Sequence, residues 1–251
     1  MFTISGKVAI VTGPRVGIGH AVAMAFAKAG VNVVGVGSKN LDALKEEVEA
    51  CGVGFCAVTA DLTKPSAELA EQIVQTAVNA FGRVDILVNN AGIARRADAL
   101  DYSEQDWDDV LNINLKACFL LAQAAARQMI AQGQGGKIVN LASMLTFSGG
   151  IRVPSYAASK HGIAGITKAL ANEWSQYGIN INAVAPGYID TPMNQAHKDN
   201  PQRLKELNER IPCGRWGTPE EVAAPILFLC TDEARYIHGA ILPIDGGWMA
   251  R

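Results

Sequence analysis

The chain has 251 residues, 49% hydrophobic and 18% charged, with a formal net charge of −2, which suits one large or two small domains with an ample core. Lys and Arg are dispersed without a basic run, which argues against a nucleic-acid partner, and no apolar run reaches the ~18 residues of a membrane span. Met1-Phe2-Thr3-Ile4-Ser5-Gly6-Lys7 lacks the basic-then-apolar order of a secretion signal, so the cytosol is the expected compartment.

Val8-Ala9-Ile10-Val11 reads as a buried parallel strand. It runs into Thr12-Gly13-Pro14-Arg15-Val16-Gly17-Ile18-Gly19 and then an Ala-rich helix over His20 to Lys28. A strand, a glycine turn and a helix N-terminus together make a phosphate cradle, because small residues let the backbone approach an anion with free N–H groups facing it. The second strand, Asn32 to Gly37, ends in Gly37-Ser38-Lys39, where NAD-binding chains usually offer an acidic residue to the ribose 2′-hydroxyl. Serine and lysine there, with Arg15 nearby, favour the 2′-phosphate of NADP(H); NAD(H) stays open if both cations are merely solvated.

A helix carrying Leu41, Leu44 and Val48 leads to a third strand around Phe55 to Val58, which ends in Asp61-Leu62. Asp61 either meets an adenine amino group or caps the following turn. An amphipathic helix over Ser66 to Phe81 points Leu69, Ile73, Ala77 and Phe81 inward, and Val84 to Val88 is the fourth strand. Asn89-Asn90-Ala91-Gly92 follows, placing two amides where they can tie loops together and contact a ribose.

Ser103 and Asp106 mark the start of a long helix that carries Asn112, Asn114 and Lys116, although Asn is unfavourable in mid-helix. Lys137 to Ser143 is the fifth strand and delivers Ser143 to the ligand side of a parallel sheet. A helix over Ser155 to Tyr177 and a strand over Ile179 to Val184 lead to Pro186-Gly187-Tyr188-Ile189-Asp190-Thr191. The polar stretch from Thr191 to about Arg210 reads as a lid with a short helix. Thr218-Pro219-Glu220-Glu221 opens the next helix, to about Leu229, and Ala240 to Ile244 is the last strand.

Tyr156 and Lys160 are four apart on a helix and so share a face. A free phenol, with a pKa of roughly 10, is a poor base near neutrality, and an adjacent ammonium favours the phenolate form. Proton transfer by a tyrosine becomes accessible through such a pair. The five cysteines form no CxxC and the four histidines have no ligand spacing, so reduced thiols and no metal are expected.

Taken together, the motifs Thr12-Gly13-x-x-x-Gly17-Ile18-Gly19, Asn89-Asn90-Ala91-Gly92, Asn114, Ser143, Tyr156-x-x-x-Lys160 and Pro186-Gly187 resemble, in kind and order, the short-chain dehydrogenases/reductases over essentially the whole chain. The resemblance implies an α/β single-domain Rossmann fold over residues 1–251: a seven-stranded doubly wound parallel sheet flanked by helices, usually in a homotetramer. The cofactor half would span about 1–140, the catalytic and substrate elements about 141–251 and the lid about 188–212. It also implies that Tyr156 is the general acid/base, that Ser143 binds the reacting oxygen, that Lys160 supports the tyrosine and holds the nicotinamide ribose, and that Asn114 sits at a helix irregularity. Cofactor contacts would extend to Asp61, Leu62, Asn90, Ala91, Gly92, Pro186, Gly187, Ile189 and Thr191.

Within the family, Arg95 to Leu100, Asp106 to Val110, Gly149 to Tyr156 and the ending Gly246 to Arg251 look closest to sugar-acid enzymes acting on 2-keto-3-deoxy-gluconate and related keto acids. Such a substrate needs a cation for its carboxylate, which a guanidinium binds bidentately. Arg152, four residues before Tyr156, is the first candidate and Arg96 the second, with Met144 beside Ser143; a subunit contact is the other reading of either arginine. A 3-oxoacyl-carrier-protein reductase is the alternative enzyme, although no basic cluster for an acidic carrier is visible. A non-catalytic dinucleotide-binding protein is the alternative of another class, which need not keep Asn114, Ser143, Tyr156 and Lys160 together.

Overall fold

The structure, a computed structural model, describes residues 4–251; the reading made on Met1-Phe2-Thr3 lies outside the described residues. Strands β1 (Val8–Thr12), β2 (Asn32–Gly37) and β3 (Phe55–Thr59) alternate with helices α1 (Gly17–Lys28), α2 (Asp42–Glu49) and α3 (Ala67–Phe81). Next come β4 (Ile86–Asn89), α4 (Glu104–Leu111), α5 (Ala117–Gln132), β5 (Gly136–Leu141), α6 (Pro154–Trp174) and β6 (Ile179–Pro186). The chain ends with α7 (Gln195–Lys198), α8 (Pro201–Arg210), α9 (Pro219–Leu229) and β7 (Ile241–Ile244). The seven strands form one parallel sheet in the order β3-β2-β1-β4-β5-β6-β7.

Alternation along the strands makes two main cores, with a smaller cluster around Ile163, Ala183 and Ala185. Ala9, Val11, Val33 and Val88 face α1, α2 and α9 through Phe26, Leu44, Val48 and Ile226. Val8, Ile10, Val34 and Leu87 face α3, α5 and α6 through Ile73, Ala77, Met129 and Leu170. Both faces are therefore dry, which is why the central strands read as unbroken apolar runs. Local chemistry fixes the helix ends. Ser66 accepts from Leu69 N at 3.1 Å, Gly82 stops α3 at φ 78°, and Thr218 with Glu221 forms a capping box on α9 behind Pro219.

Two boundaries differ from the sequence expectation. The long helix after Ser103 is two helices joined by a π-helical turn, Asn112–Lys116, which is the irregularity expected at Asn114, and the helix carrying Tyr156 stops at Trp174, followed by a 3₁₀ turn to Tyr177. In addition, the lid holds two helices, α7 and α8, closed at its neck by the pairing of Ile189 with Gly217 and anchored by buried Leu207 and Ile211. Because β1 and β4 are neighbours whose helices cross to opposite faces, a crevice opens at their C-terminal ends, as in other doubly wound sheets. No helix among the described residues is long and apolar enough to cross a membrane.

Candidate active site

A cavity of about 780 Å³ occupies this crevice. At the glycine turn, Gly13 and Gly17 adopt φ of 64° and 61°, open to glycine at little cost. A Cβ on Gly19 would overlap the Gly13 carbonyl oxygen and the Asn90 amide, so only glycine fits this close approach. Asn90 Nδ2 donates to the carbonyls of Thr12 (2.9 Å) and Gly13 (3.1 Å), and Thr12 Oγ1 accepts from the N–H groups of Asn90 and Ala91 at 2.9 Å. Loop tying by an amide at the end of β4 is thus explicit. Gly13, Gly17, Ile18 and Gly19 line the cavity, leaving the N-terminus of α1 facing into it. Such a cradle fits the pyrophosphate of a dinucleotide.

Ser38, Asp61 and Leu62 line the wall beyond β2 and β3, whereas Lys39 and Arg15 are exposed and lie outside the lining. Asp61 forms the turn contact, its Oδ1 accepting from Thr63 N (3.0 Å) and Thr63 Oγ1 (2.7 Å), while the residue also lines the cavity. These bonds hold the carboxyl below its ordinary range. Ala91, Gly92, Pro186, Gly187, Ile189 and Thr191 also line the cavity.

The chemical cluster is assembled by β5, the turn after it and α6. Ser143 caps the 3₁₀ turn Met144–Thr146: its Oγ accepts from Leu145 N at 3.1 Å, leaving the hydroxyl proton to be donated elsewhere. Ser143 N donates to Thr146 Oγ1 (3.2 Å), which donates to the Lys160 carbonyl (3.1 Å), stitching the serine turn to α6. Lys160 is buried, donates to the Leu141 carbonyl at the end of β5, and holds its Nζ 5.4 Å from the centre of the half-buried Tyr156 ring. Ser143, Met144, Tyr156 and Lys160 all line the cavity.

Asn114 sits in the π-helical turn, fully buried behind this wall. Its Oδ1 accepts from Ile93 N (2.9 Å), and its Nδ2 donates to the Ile93 carbonyl (2.9 Å) and to Ser159 Oγ (3.1 Å). Ser159 in turn donates to the Tyr156 carbonyl at 2.7 Å. The mid-helix asparagine therefore binds the loop after β4 to the helix carrying Tyr156.

The two arginine candidates part ways. Arg152 adopts φ 64°, pairs with Asp98 at 3.1 Å and is outside the cavity lining, so the structure does not bring it to the site. Arg96 lines the cavity, with its Nη2 3.1 Å from His197 Nε2. Tyr188, His197, Arg203, Arg210 and Trp248 also line it; the sequence drew attention to Tyr188 and Trp248 only within longer stretches, and to His197, Arg203 and Arg210 not as site residues. The available signal was the seven-residue spacing of Arg203 and Arg210, which puts them on one face of α8. Burial, with Arg96 and Arg203 adding to it, pushes the His197 imidazole below its ordinary range. No cluster of three or more potential metal ligands occurs among the described residues.

A dinucleotide-type cradle opening onto a serine, a tyrosine and a buried lysine defines a Rossmann-fold oxidoreductase acting on CH–OH groups. The chain belongs to the short-chain dehydrogenase/reductase family: residues 13–249 match the model described as enoyl-(acyl carrier protein) reductase. It is 50% identical to the 2-dehydro-3-deoxy-D-gluconate 5-dehydrogenase of Escherichia coli K12, across 100% of this chain and 98% of that one. A candidate 2-deoxy-D-gluconate 3-dehydrogenase from Agrobacterium tumefaciens, crystallised with NADP, is 47% identical with a TM-score of 0.92, covering 100% of this chain and 99% of its own. A candidate NAD(P)-dependent gluconate 5-dehydrogenase from Beutenbergia cavernae, with NADP at low occupancy, is 43% identical with a TM-score of 0.94 and the same coverage.

Proposed function

We propose that the protein is an NADP(H)-dependent oxidoreductase of small sugar acids, interconverting a ketone and a secondary alcohol on 2-keto-3-deoxy-gluconate or a related uronate-derived keto acid. The carrying observation is that one cavity joins Ser143, Tyr156 and Lys160 to Arg96, a guanidinium suited to a carboxylate. The sugar-acid names of the relatives and their bound NADP support the reading.

The glycine turn and the N-terminus of α1 would hold the cofactor's phosphates, Ser38 in the wall and the exposed Lys39 next to it in the chain, outside the lining, its 2′-phosphate, and Lys160 its nicotinamide ribose. Bound there, the nicotinamide would supply or take the hydride at its C4. Tyr156 gives its phenolic proton to the substrate oxygen in reduction and takes it back in oxidation. Ser143, with its Oγ occupied as an acceptor by Leu145 N, donates its own proton to the same oxygen and stabilises negative charge developing there. The Lys160 ammonium stabilises the phenolate that Tyr156 leaves behind. Asn114 keeps the wall in register through Ile93 and Ser159. The working form is a homotetramer; exposed Trp107 on α4 and Ile130 on α5 are of the kind a subunit contact covers.

The test is initial rates with NADPH and NADH against 2-keto-3-deoxy-gluconate, its 4-deoxy-5-keto uronic acid relative and an acetoacetyl thioester. Rapid NADPH oxidation with a sugar acid is expected. Activity confined to the thioester would replace the substrate assignment by the carrier-protein one.

A further inference from the structure

The lid brings charge to the cavity that the reaction so far described does not use. His197 on α7 lies beside Arg96, 101 residues earlier in the chain, with 3.1 Å between Nε2 and Nη2. A guanidinium has donors only, so His197 Nε2 is the acceptor, which makes the imidazole neutral with its proton on Nδ1. The downward push on His197 from burial, Arg96 and Arg203 agrees with that state.

Arg96 also differs from its neighbours in charge balance. Arg95 pairs with Asp106 and Asp109, Arg152 with Asp98 and Arg215 with Glu221. Among the described residues, no carboxylate lies within ion-pair distance of Arg96. Among the described residues, Arg203, on α8, meets a carboxylate only at 3.3 Å, through one nitrogen, from Glu206 on its own helix. Arg210, two turns further, stacks over the Trp248 ring at 3.9 Å and so ties the end of α8 to the C-terminal segment. Arg96, on the loop after β4, and Arg203, on the lid, thus both line one cavity, and the charges of both act on His197. Like charges gathered at one cavity repel, and an anion bound by both relieves the repulsion.

We propose that Arg203 and Arg96 together seat the substrate's carboxylate, with His197 as a positioning residue that holds the Arg96 guanidinium. The assignment rests on the sugar-acid reading above. It makes carboxylate selectivity a property of the lid and predicts discrimination between an acid and its uncharged ester.

The test compares a keto sugar acid with its methyl ester in the wild type and in Arg203→Gln, Arg203→Lys, His197→Phe and His197→Gln. The wild type is expected to favour the acid. In Arg203→Gln, KM for the acid should rise at least tenfold, on the order expected for a lost charge-assisted pair, with kcat little changed and the acid-to-ester preference collapsed. Arg203→Lys should recover part of the loss. His197→Phe should raise KM for the acid, and His197→Gln, which keeps an acceptor, should restore much of it. Unchanged KM for the acid in Arg203→Gln, or equal losses on acid and ester, overturns the assignment while the sugar-acid reading stands. A wild type that turns over neither acid nor ester removes the reading and the assignment with it.

Discussion

The Lys160 ammonium lies 5.4 Å from the centre of the Tyr156 ring while donating to the Leu141 carbonyl. One buried cation is thereby fixed to the end of β5 and aimed beside the phenol, and it cannot swing away without losing a buried hydrogen bond. Lys160→Met should lower kcat/KM by about 10²-fold or more, in the range of a lost acid–base contribution, and weaken cofactor binding as well. Steady-state rates and a cofactor fluorescence titration measure the two effects; a variant with near-normal turnover would show that the charge is unnecessary.

Cofactor choice should sit at the end of β2. Lys39→Ala is expected to weaken NADPH binding by about tenfold while leaving NADH binding nearly unchanged, because only the former carries the 2′-phosphate. Ser38→Asp, placing a carboxylate in the cavity wall, should turn the preference toward NADH. Parallel changes for both cofactors would place 2′-phosphate recognition elsewhere.

Gly19→Ala should damage both binding and folding, since its methyl group has to displace the Gly13 carbonyl or the Asn90 amide. Overpacking of this kind costs about 1–3 kcal/mol. A lowered melting temperature together with lost cofactor affinity is expected. An unaltered affinity would argue against the close approach.

Stability should fall on the alkaline side through two buried thiols. Burial pushes Cys118 up to about 11 and Cys230 up to about 12. Unfolded thiols lose their protons near pH 8.5, roughly, while the folded ones keep them, so the unfolded state binds fewer protons in between. The thiol contribution is therefore complete below the unfolded value and is lost as pH rises toward the folded ones. Lys137, held below its ordinary range mainly by burial, acts with the opposite sign and interacts electrostatically with Cys230, so the clean comparison removes Cys118 alone. Cys118→Ala, which leaves the Cys230–Lys137 pair intact, should lose less melting temperature between about pH 8 and pH 10 than the wild type. Identical slopes would contradict the burial argument.

Most elements were legible because the central strands are dry on both faces and write themselves as apolar runs, while Ser66, Gly82 and Thr218-Pro219 punctuate the helices. The π-helical turn was not legible from periodicity, since the apolar pattern continues through it and only Asn112 and Asn114 mark the place; the irregularity at Asn114 was legible only through the family resemblance. The Ser143, Tyr156 and Lys160 positions could be read from motif and spacing. Arg152 could not, because four residues before Tyr156 means a shared face only if the helix extends that far. Pro154 starts α6, and the left-handed Arg152 turns toward Asp98 instead. His197 and Arg203 were hidden for another reason: the polar lid declares helices, but which face meets the cavity depends on the neck at Ile189 and Gly217 and on buried Leu207 and Ile211.

The most direct measurement of the central claim is turnover and cofactor binding in Tyr156→Phe, which removes one oxygen from the cavity wall and leaves the ring and Lys160 in place. The account predicts a rate lower by about 10²–10⁴-fold with NADPH affinity close to that of the wild type. Sugar-acid reduction at the wild-type rate by Tyr156→Phe would contradict it.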